Sequence, residues 1–324
     1  MTTDMDQCKT LLQNAVRECK SEWIALSGGL DSSILAHLRK DQKSQAITII
    51  TKDFLGTDLT FAQIIAKHTG IHLSLTQVTM EEILDSINET IKILGNFNDI
   101  EIRNSIVPYI YLNTLKNKGV KSVITGDGAD EVFAGYNFLL KKSDNELDEE
   151  LKRIKKIMHF PSRDIAKSLN MKIETPFLNE DVIKFSDSIP VSKKINVKEG
   201  KKFGKWILRE SFERDLPNSI IWREKSPMQD GSGTNNLTDL FNTIITDDIF
   251  LQKRTKILGV GIVGHNAGEL INEAMLAIEM ESIPEDIALT IHPHPTLSET
   301  LANASEILTG SITDLYIPNK SGEK

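Results

Sequence analysis

Ser27-Gly28-Gly29-Leu30-Asp31-Ser32-Ser33 decides the reading of this chain, because an apolar run, Trp23 to Leu26, leads into it and a helix-like stretch, Ile34 to Arg39, leads out. A strand that turns through two glycines into a helix start aims backbone N–H groups and the positive helix end at one point, where phosphate binds. Gly28 and Gly29 permit close approach of the backbone to an anion, and Ser27, Ser32 and Ser33 add hydroxyl donors. Asp31 is a carboxylate inside an anion site. A divalent cation travelling with the phosphates accounts for it, whereas a helix-capping role is served equally well by Ser32. The turn reads as a nucleotide site.

Outward from the turn, β-rich segments alternate with amphipathic ones. Ala46 to Thr51 reads as a strand, Leu59 to His68 as a helix, Leu73 to Val78 as a strand, and Glu81 to Leu94 and Val107 to Asn117 as helices before a strand at Ser122 to Thr125. This order predicts an α/β fold, a parallel sheet with helices on both faces and ligands at the carboxyl ends of the strands. The mixed-charge run Lys141 to Lys156 reads as a solvated helix face, and Gln229 to Asn236 as a loop before a domain boundary that falls ahead of Lys256. The expected domains are therefore residues 1–240 and 253–324.

Composition narrows the partners. With 324 residues and a net charge of -8, the chain lacks the basic footprint of a nucleic-acid binder and has no membrane-spanning apolar run. Cys8 and Cys19 are its two cysteines, eleven apart in an N-terminal helix and too distant to bridge. A reducing, cytoplasmic setting is expected.

A second turn repeats the logic of the first. Gly126-Asp127-Gly128-Ala129-Asp130-Glu131-Val132-Phe133-Ala134-Gly135-Tyr136 follows the strand Ser122 to Thr125, and two such turns on one sheet place Asp31 and Asp130 around one cation, with Mg²⁺ the natural choice. Ser27 to Ser33 resembles the pyrophosphate loop of the PP-loop ATP pyrophosphatase superfamily, whose fold is adenine nucleotide alpha hydrolase-like. The second turn narrows the resemblance to the synthetase domain of the asparagine synthetase family. Ile102-Arg103-Asn104-Ser105, Pro176-Phe177-Leu178-Asn179, Lys205-Trp206-Ile207-Leu208-Arg209-Glu210, Trp222-Arg223-Glu224-Lys225 and Asp230-Gly231 follow in the same order.

That resemblance implies an ATP-dependent ligase. A carboxylate, aspartate or a relative of it, attacks the α-phosphorus of ATP, pyrophosphate leaves, and ammonia then displaces AMP from the acyl-adenylate. It implies that Ser27, Gly28, Gly29, Asp31, Ser32 and Gly126 hold the nucleotide, that Leu26 and Ile49 to Thr51, Ile50 and Thr51 foremost, flank the adenine, and that Asp31 and Asp130 bind Mg²⁺. Lys205 would neutralise phosphoryl charge, Asp127 would steer or deprotonate ammonia, and Arg103 would meet the acceptor carboxylate. Read without the family, Lys205 is a solvated helix lysine, Asp127 a cap, and Arg103 the partner of a structural carboxylate.

The chain also departs from that family. Thr2 stands where the glutaminase nucleophile Cys follows Met1, so ammonia is expected from solution or from a separate glutaminase subunit. Glu174-Thr175-Pro176-Phe177-Leu178-Asn179 lacks the Arg and Asp of the family motif Arg-x-Pro-Phe-Leu-Asp, which weakens the case for aspartate. The alternative reading is a degenerate ATP-binding or assembly protein of the same fold.

The tail carries a different resemblance. Lys256 to Ile271 reads as a strand, a turn and a helix running to about Met280, followed by a helical Pro284 to Ala288 and by Ile291-His292-Pro293-His294-Pro295-Thr296-Leu297-Ser298-Glu299. This resembles the end of the interface domain of dihydrolipoamide dehydrogenase, an α+β module, where the second His and the Glu form an acid–base dyad across a dimer interface. The positions here are His294 and Glu299. The flavin fingerprint and redox CxxxxC pair are missing, so the tail is expected to be an assembly module, forming a homodimer or packing on the synthetase domain, with the dyad a relic. Leu270, Ala274, Ala277 and Ile278 form its apolar stripe.

Overall fold

Five strands pair in parallel in the order β3-β2-β1-β4-β5: β1 (Trp23–Ala25), β2 (Gln45–Thr51), β3 (His72–Val78), β4 (Ser122–Ile124) and β5 (Lys172–Glu174). The structure is a computed structural model that describes residues 3–51, 58–95, 98–223, 257–309 and 312. The chain divides into two units, Met1–Asn236 and Leu237–Lys324. In the first, Ile24 lies opposite Ala46 on one side and Ile124 on the other, and all three are fully buried. A strand covered on both faces is apolar along its buried length, as Ile24, Ala46 and Ile124 are.

Helices α1 (Asp4–Glu18), α2 (Leu30–Leu38), α3 (Asp58–Thr69), α4 (Met80–Leu94) and α5 (Asp99–Asn117) occupy the first half. Then come α6 (Ala129–Phe133), α7 (Asp144–Ile157), α8 (Pro161–Ser168), α9 (Glu180–Ser188), the antiparallel hairpin β6 (Asn196–Lys198) and β7 (Lys201–Phe203), α10 (Trp206–Phe212) and α11 (Asn218–Ile221). Helix α1 starts at a capping box: Thr3 Oγ1 accepts the Asp6 N–H at 3.2 Å, and the Asp6 carboxylate accepts the Thr3 N–H at 3.3 Å. Its buried stripe, Cys8, Leu12, Ala15 and Val16, joins Ile34, Phe133, Phe177 and Phe212 in one core. Both cysteines are free thiols, and burial pushes Cys8 up to about 12.

Three expectations need correction. Helix α5 begins at Asp99 rather than Val107, because the Asn98 side chain caps it by accepting the Glu101 N–H at 3.1 Å, and Pro108 sits inside the helix instead of in its favoured first turn. The run at Lys141 to Lys156 is a helix with a buried edge, Leu147, Leu151 and Ile154, as well as a charged face. The loop expected at Gln229 to Asn236 and the boundary ahead of Lys256 lie outside the described residues.

The third correction concerns the tail, where residues 257–263 form no strand. Leu258 and Val263 are almost fully exposed, and an isolated strand has no partner for its backbone groups. The described part of this unit is thus helical rather than α+β: α12 (Ala267–Glu279), α13 (Pro284–Ala288) and α14 (Glu299–Thr309). Ala274, Ala277, Ile287 and Leu301 form its small core, while Leu270 and Ile278 of the expected stripe are half-buried.

Candidate functional site

Strands β1 and β4 are neighbours whose outgoing turns open the crevice where an open parallel sheet binds ligands. Gly28, in the turn after β1, has a φ of +71°, and a Cβ there would lie 2.5 Å from the backbone of Phe61 and Ala62. Glycine is required on both counts. Ser27 Oγ and Ser32 Oγ lie 3.2 Å apart, and Ser32 also donates to the Gly29 carbonyl at 3.2 Å. The turn after β4 meets the first one directly, since a Cβ on Gly126 would lie 3.0 Å from Asp31 Cβ.

Lys205 comes from far along the chain to the junction of the two turns. Its ammonium lies 2.5 Å from Asp31 Oδ2 and 2.8 Å from Asp130 Oδ1, with Lys205 itself only 5 % exposed. The residue caps α10 with a φ of +56°, a conformation that a non-glycine side chain adopts only under constraint. Gly135 makes room for the cluster: a Cβ there would overlap Asp130 Oδ1 and Lys205 Cε. Burial by itself lowers the Lys205 ammonium, but the carboxylates of Asp130 and Asp31 outweigh it, and the group is held above the ordinary lysine range. The three residues expected to manage phosphate charge are thus brought together.

Asp127 stands beside them on the β4 turn. Burial raises its carboxyl, opposed by a hydrogen bond that Ser162 Oγ donates at 2.7 Å and by Thr125 and Arg163. Glu131 is raised by burial too, and it accepts the Tyr136 hydroxyl at 2.5 Å. Asp127 and Glu131 line a cavity of about 250 Å³ whose apolar wall includes Leu26, Ile47, Ile49 and Tyr111. A second cavity of about 600 Å³ shares Ser27, Gly29, Asp31, Asp58 and Asp130 with the first and adds Lys201, Lys202, Arg209 and Arg223.

Several expected residues fall elsewhere. Ile50 and Thr51 line neither cavity, whereas Ile47, Thr48 and Ile49, earlier in β2, line the smaller one. Arg103 also lines neither, lying on α5 one turn before the lining residue Val107. The altered motif has structural work: Glu174 Oε2 accepts the N–H groups of Lys20 and Ser21, each at 2.9 Å, and Asn179 caps α9 while donating to Glu18 at 3.2 Å. Both residues tie down the end of α1, and neither lines either cavity.

Other site residues were not legible beforehand. Arg223 Nη2 lies 3.2 Å from Asp58 Oδ1, its guanidinium sits 3.8 Å from the Phe61 ring centre, and Nη1 donates to the Gly28 carbonyl at 3.4 Å. It fastens α3 to the phosphate turn. Burial pushes the Asp58 carboxyl up to about 6 against the pull of Arg223. Asp58 opens a helix, where an isolated Asp reads as a cap, and Ser162 has no local signal. Arg223 lay in a quoted motif without a role.

This sheet order and this pair of turns define an α/β domain with a parallel sheet and a ligand crevice between β1 and β4. The profile described as asparagine synthase matches residues 8–173, and the chain belongs to that family. Asparagine synthetase B [glutamine-hydrolyzing] of Escherichia coli K12 is 31% identical over 260 residues, 71% of this chain and 46% of that protein. The probable asparagine synthetase [glutamine-hydrolyzing] of Dictyostelium discoideum is 30% identical over 264 residues, 72% of this chain and 47% of that protein. The chain spans about half the length of these curated relatives. A solved NMN synthetase from Francisella tularensis aligns with a TM-score of 0.38 at 15% identity, covering 90% of this chain and 97% of that one. The profile of the pyridine nucleotide-disulphide oxidoreductase dimerisation domain matches residues 231–305.

Within that second match, His294 Nδ1 lies 2.7 Å from Glu299 Oε1, and Glu299 Oε2 accepts the Thr296 N–H at 2.8 Å. The pair therefore also serves as the start of α14. His292 is paired separately with Glu273 at 2.7 Å. Among the described residues no helix is long and apolar enough to cross a membrane.

Proposed function

We propose that the chain is an AMP-forming carbon–nitrogen ligase that activates a carboxylate, aspartate or a related acid, with ATP and amidates it with ammonia. The observation that carries this reading is the Lys205 ammonium held between Asp31 and Asp130 where the two turns meet. An acceptor carboxylate oxygen attacks the α-phosphorus, and the bond to the pyrophosphate oxygen breaks. Ser27, Gly28, Gly29 and Ser32 hold the departing phosphates, and Lys205 offsets the charge that develops on them. Ammonia then attacks the acyl carbon, AMP departs with the bonding electron pair, and Asp127 takes the proton. Its raised carboxyl suits it to that role as a base.

Mg²⁺ fits the donor set. Asp31 and Asp130, brought to the junction of the two turns, are oxygen donors of the kind Mg²⁺ takes alongside phosphate oxygens and water. Asp31 and Asp130 would hold it, and when bound it would neutralise phosphate charge. Leu26 and Ile49 supply the apolar wall for adenine. For the tail we infer a homodimerisation module with no part in the chemistry of the first unit.

The test is pyrophosphate release from ATP and Mg²⁺ in the presence of ammonia and a panel of carboxylates headed by aspartate. Release that depends on acceptor and disappears in Asp31→Ala is expected. No release with any acceptor, alongside measurable ATP binding, overturns the ligase reading in favour of a degenerate nucleotide-binding protein.

A further inference from the structure

Three helices begin at the site. Asp31 lies in the first turn of α2, Asp58 opens α3 and lines both cavities, and Lys205 caps α10. With nine and seven residues, α2 and α10 end roughly 10–14 Å from that junction, at 1.5 Å of rise per residue. At this far end the same helices meet again on one residue, Asp215, in the link between α10 and α11. Lys9 Nζ of α1 lies 2.5 Å from Asp215 Oδ2, and His37 Nε2 of α2 lies 3.7 Å from Oδ1. His68 Nε2, near the end of α3, is 2.7 Å from the Asp215 carbonyl oxygen.

Packing closes the same place. Phe212, the last residue of α10, is fully buried, and the His37 ring meets it edge-on with ring centres 6.3 Å apart. The Lys9 ammonium lies 5.7 Å from the centre of the Phe212 ring. The Asp215 N–H donates to the Phe212 carbonyl at 3.0 Å, which fixes the carboxylate to the end of α10. Helices α2 and α10 are thus joined at their starts by Asp31 and Lys205 and at their ends by His37, Phe212 and Asp215. A helix held at one end can pivot about it, and one held at both ends has a single orientation. For a helix as short as α10, a pivot of about 10° at its end moves its start by roughly 2 Å. That displacement is enough to break contacts of 2.5 and 2.8 Å.

We propose that Asp215 is a positioning residue for Lys205: by gathering the ends of α2, α3 and α10, it fixes the orientation of α10 that puts the Lys205 ammonium between Asp31 and Asp130. Asp215 itself lines neither cavity. The assignment rests on the ligase reading for what Lys205 does to phosphate charge, and on the ion pairs alone for where Lys205 is held.

The experiment is lysine footprinting of the full chain, in which a brief exposure to limiting acetic anhydride is followed by mass spectrometry of the Lys205 peptide. Asp215→Asn keeps the shape of the side chain and removes its charge, and Asp215→Glu restores the charge. Lys9→Met cuts the same tie from α1, and it carries the test if Asp215→Asn does not fold. Ile83→Ala is a destabilising change at a buried position on α4, outside the printed contacts of Asp215 and Lys205. Lys205 labelling is expected to rise roughly 10- to 100-fold in Asp215→Asn, the scale of one hydrogen bond to a charged group. It should rise in the same direction in Lys9→Met, return most of the way in Asp215→Glu, and stay at the wild-type rate in Ile83→Ala, with chemical denaturation showing each variant folded under the labelling conditions. During turnover, Asp215→Asn should lower kcat for pyrophosphate release and leave KM for ATP near its wild-type value. Labelling at the wild-type rate in Asp215→Asn, or in Lys9→Met where only that variant folds, overturns the proposal, as does an equal rise in Ile83→Ala. A rise specific to the Asp215 tie in a chain that turns over no acceptor sustains it while the ligase reading falls.

Discussion

At the scale of single residues, the site depends on side chains that are absent as much as on those present. Gly135 is such a position, because any Cβ there overlaps the carboxylate of Asp130 and the stem of Lys205. Both are ends of side chains that can move, so Gly135→Ala is expected to fold with a small change in melting temperature while pyrophosphate release falls at least about 100-fold, the cost of losing one preorganised charge contact. At Gly28 the obstacle is the backbone of α3 and φ is positive, so Gly28→Ala should instead lower folding stability by more than about 1–2 kcal/mol, measurable by chemical denaturation. Asp127 gives a third residue-scale outcome. Its ionised form is the competent base, so the rate should rise with pH through a value above the ordinary Asp range. Tyr111, Asp130 and Arg163 face it, and Ser162 donates to it and favours the charged form. Ser162→Ala should therefore move the acidic limb of the pH–rate profile to higher pH, and Asp127→Asn should lower the rate by about 10²–10⁴.

Elements were legible in the sequence to the degree that their signals were local. The turn at Ser27 to Ser33 could be read because strand, glycines and helix start are consecutive, and the pairing of Asp31 with Asp130 because a second turn repeats the pattern. The ion pairs of Lys205 and the Arg223–Asp58 pair join distant segments with no periodicity between them, and the former needed family resemblance while the latter went unread. At β2 the expected flank of Ile49 to Thr51 overlaps the cavity wall of Ile47 to Ile49 at Ile49, because strand patterning marks the strand without marking how far along it a cavity reaches. Helix α7 is a milder case: its charge run hides an apolar edge at Leu147, Leu151 and Ile154. Two substitutions separate the contributions. Leu151→Ala should cost about 2–4 kcal/mol of stability through the cavity it leaves, whereas Lys152→Ala, which removes the exposed pair with Asp148 and adds no charge, should cost at most about 0.5 kcal/mol. Denaturant unfolding of both variants decides between an edge that holds the domain and a merely solvated helix.

On the scale of the whole molecule, the tail is where folding physics leaves an account open. Its core of Ala274, Ala277, Ile287 and Leu301 is small, and large apolar side chains stand out from it: Leu276 is 61% exposed, Met280 70%, Leu289 84% and Ile291 95%. An apolar array of this density marks a contact surface, and the homodimer proposed for the tail would cover it with a second copy. The strand expected at the start of Lys256 to Ile271 fits the same account, since residues 257–263 have no strand partner among the described residues of their own chain and a sequence cannot reveal whether one is supplied. The full chain is therefore expected to sediment as a dimer at micromolar concentration. A variant carrying Leu276→Asp and Met280→Asp should sediment as a monomer and release pyrophosphate at the wild-type rate, because both side chains lie outside the unit that holds the phosphate turns. A monomeric wild type would remove the assembly role of the tail, and a dissociated variant with impaired turnover would show that assembly and chemistry are coupled rather than separate.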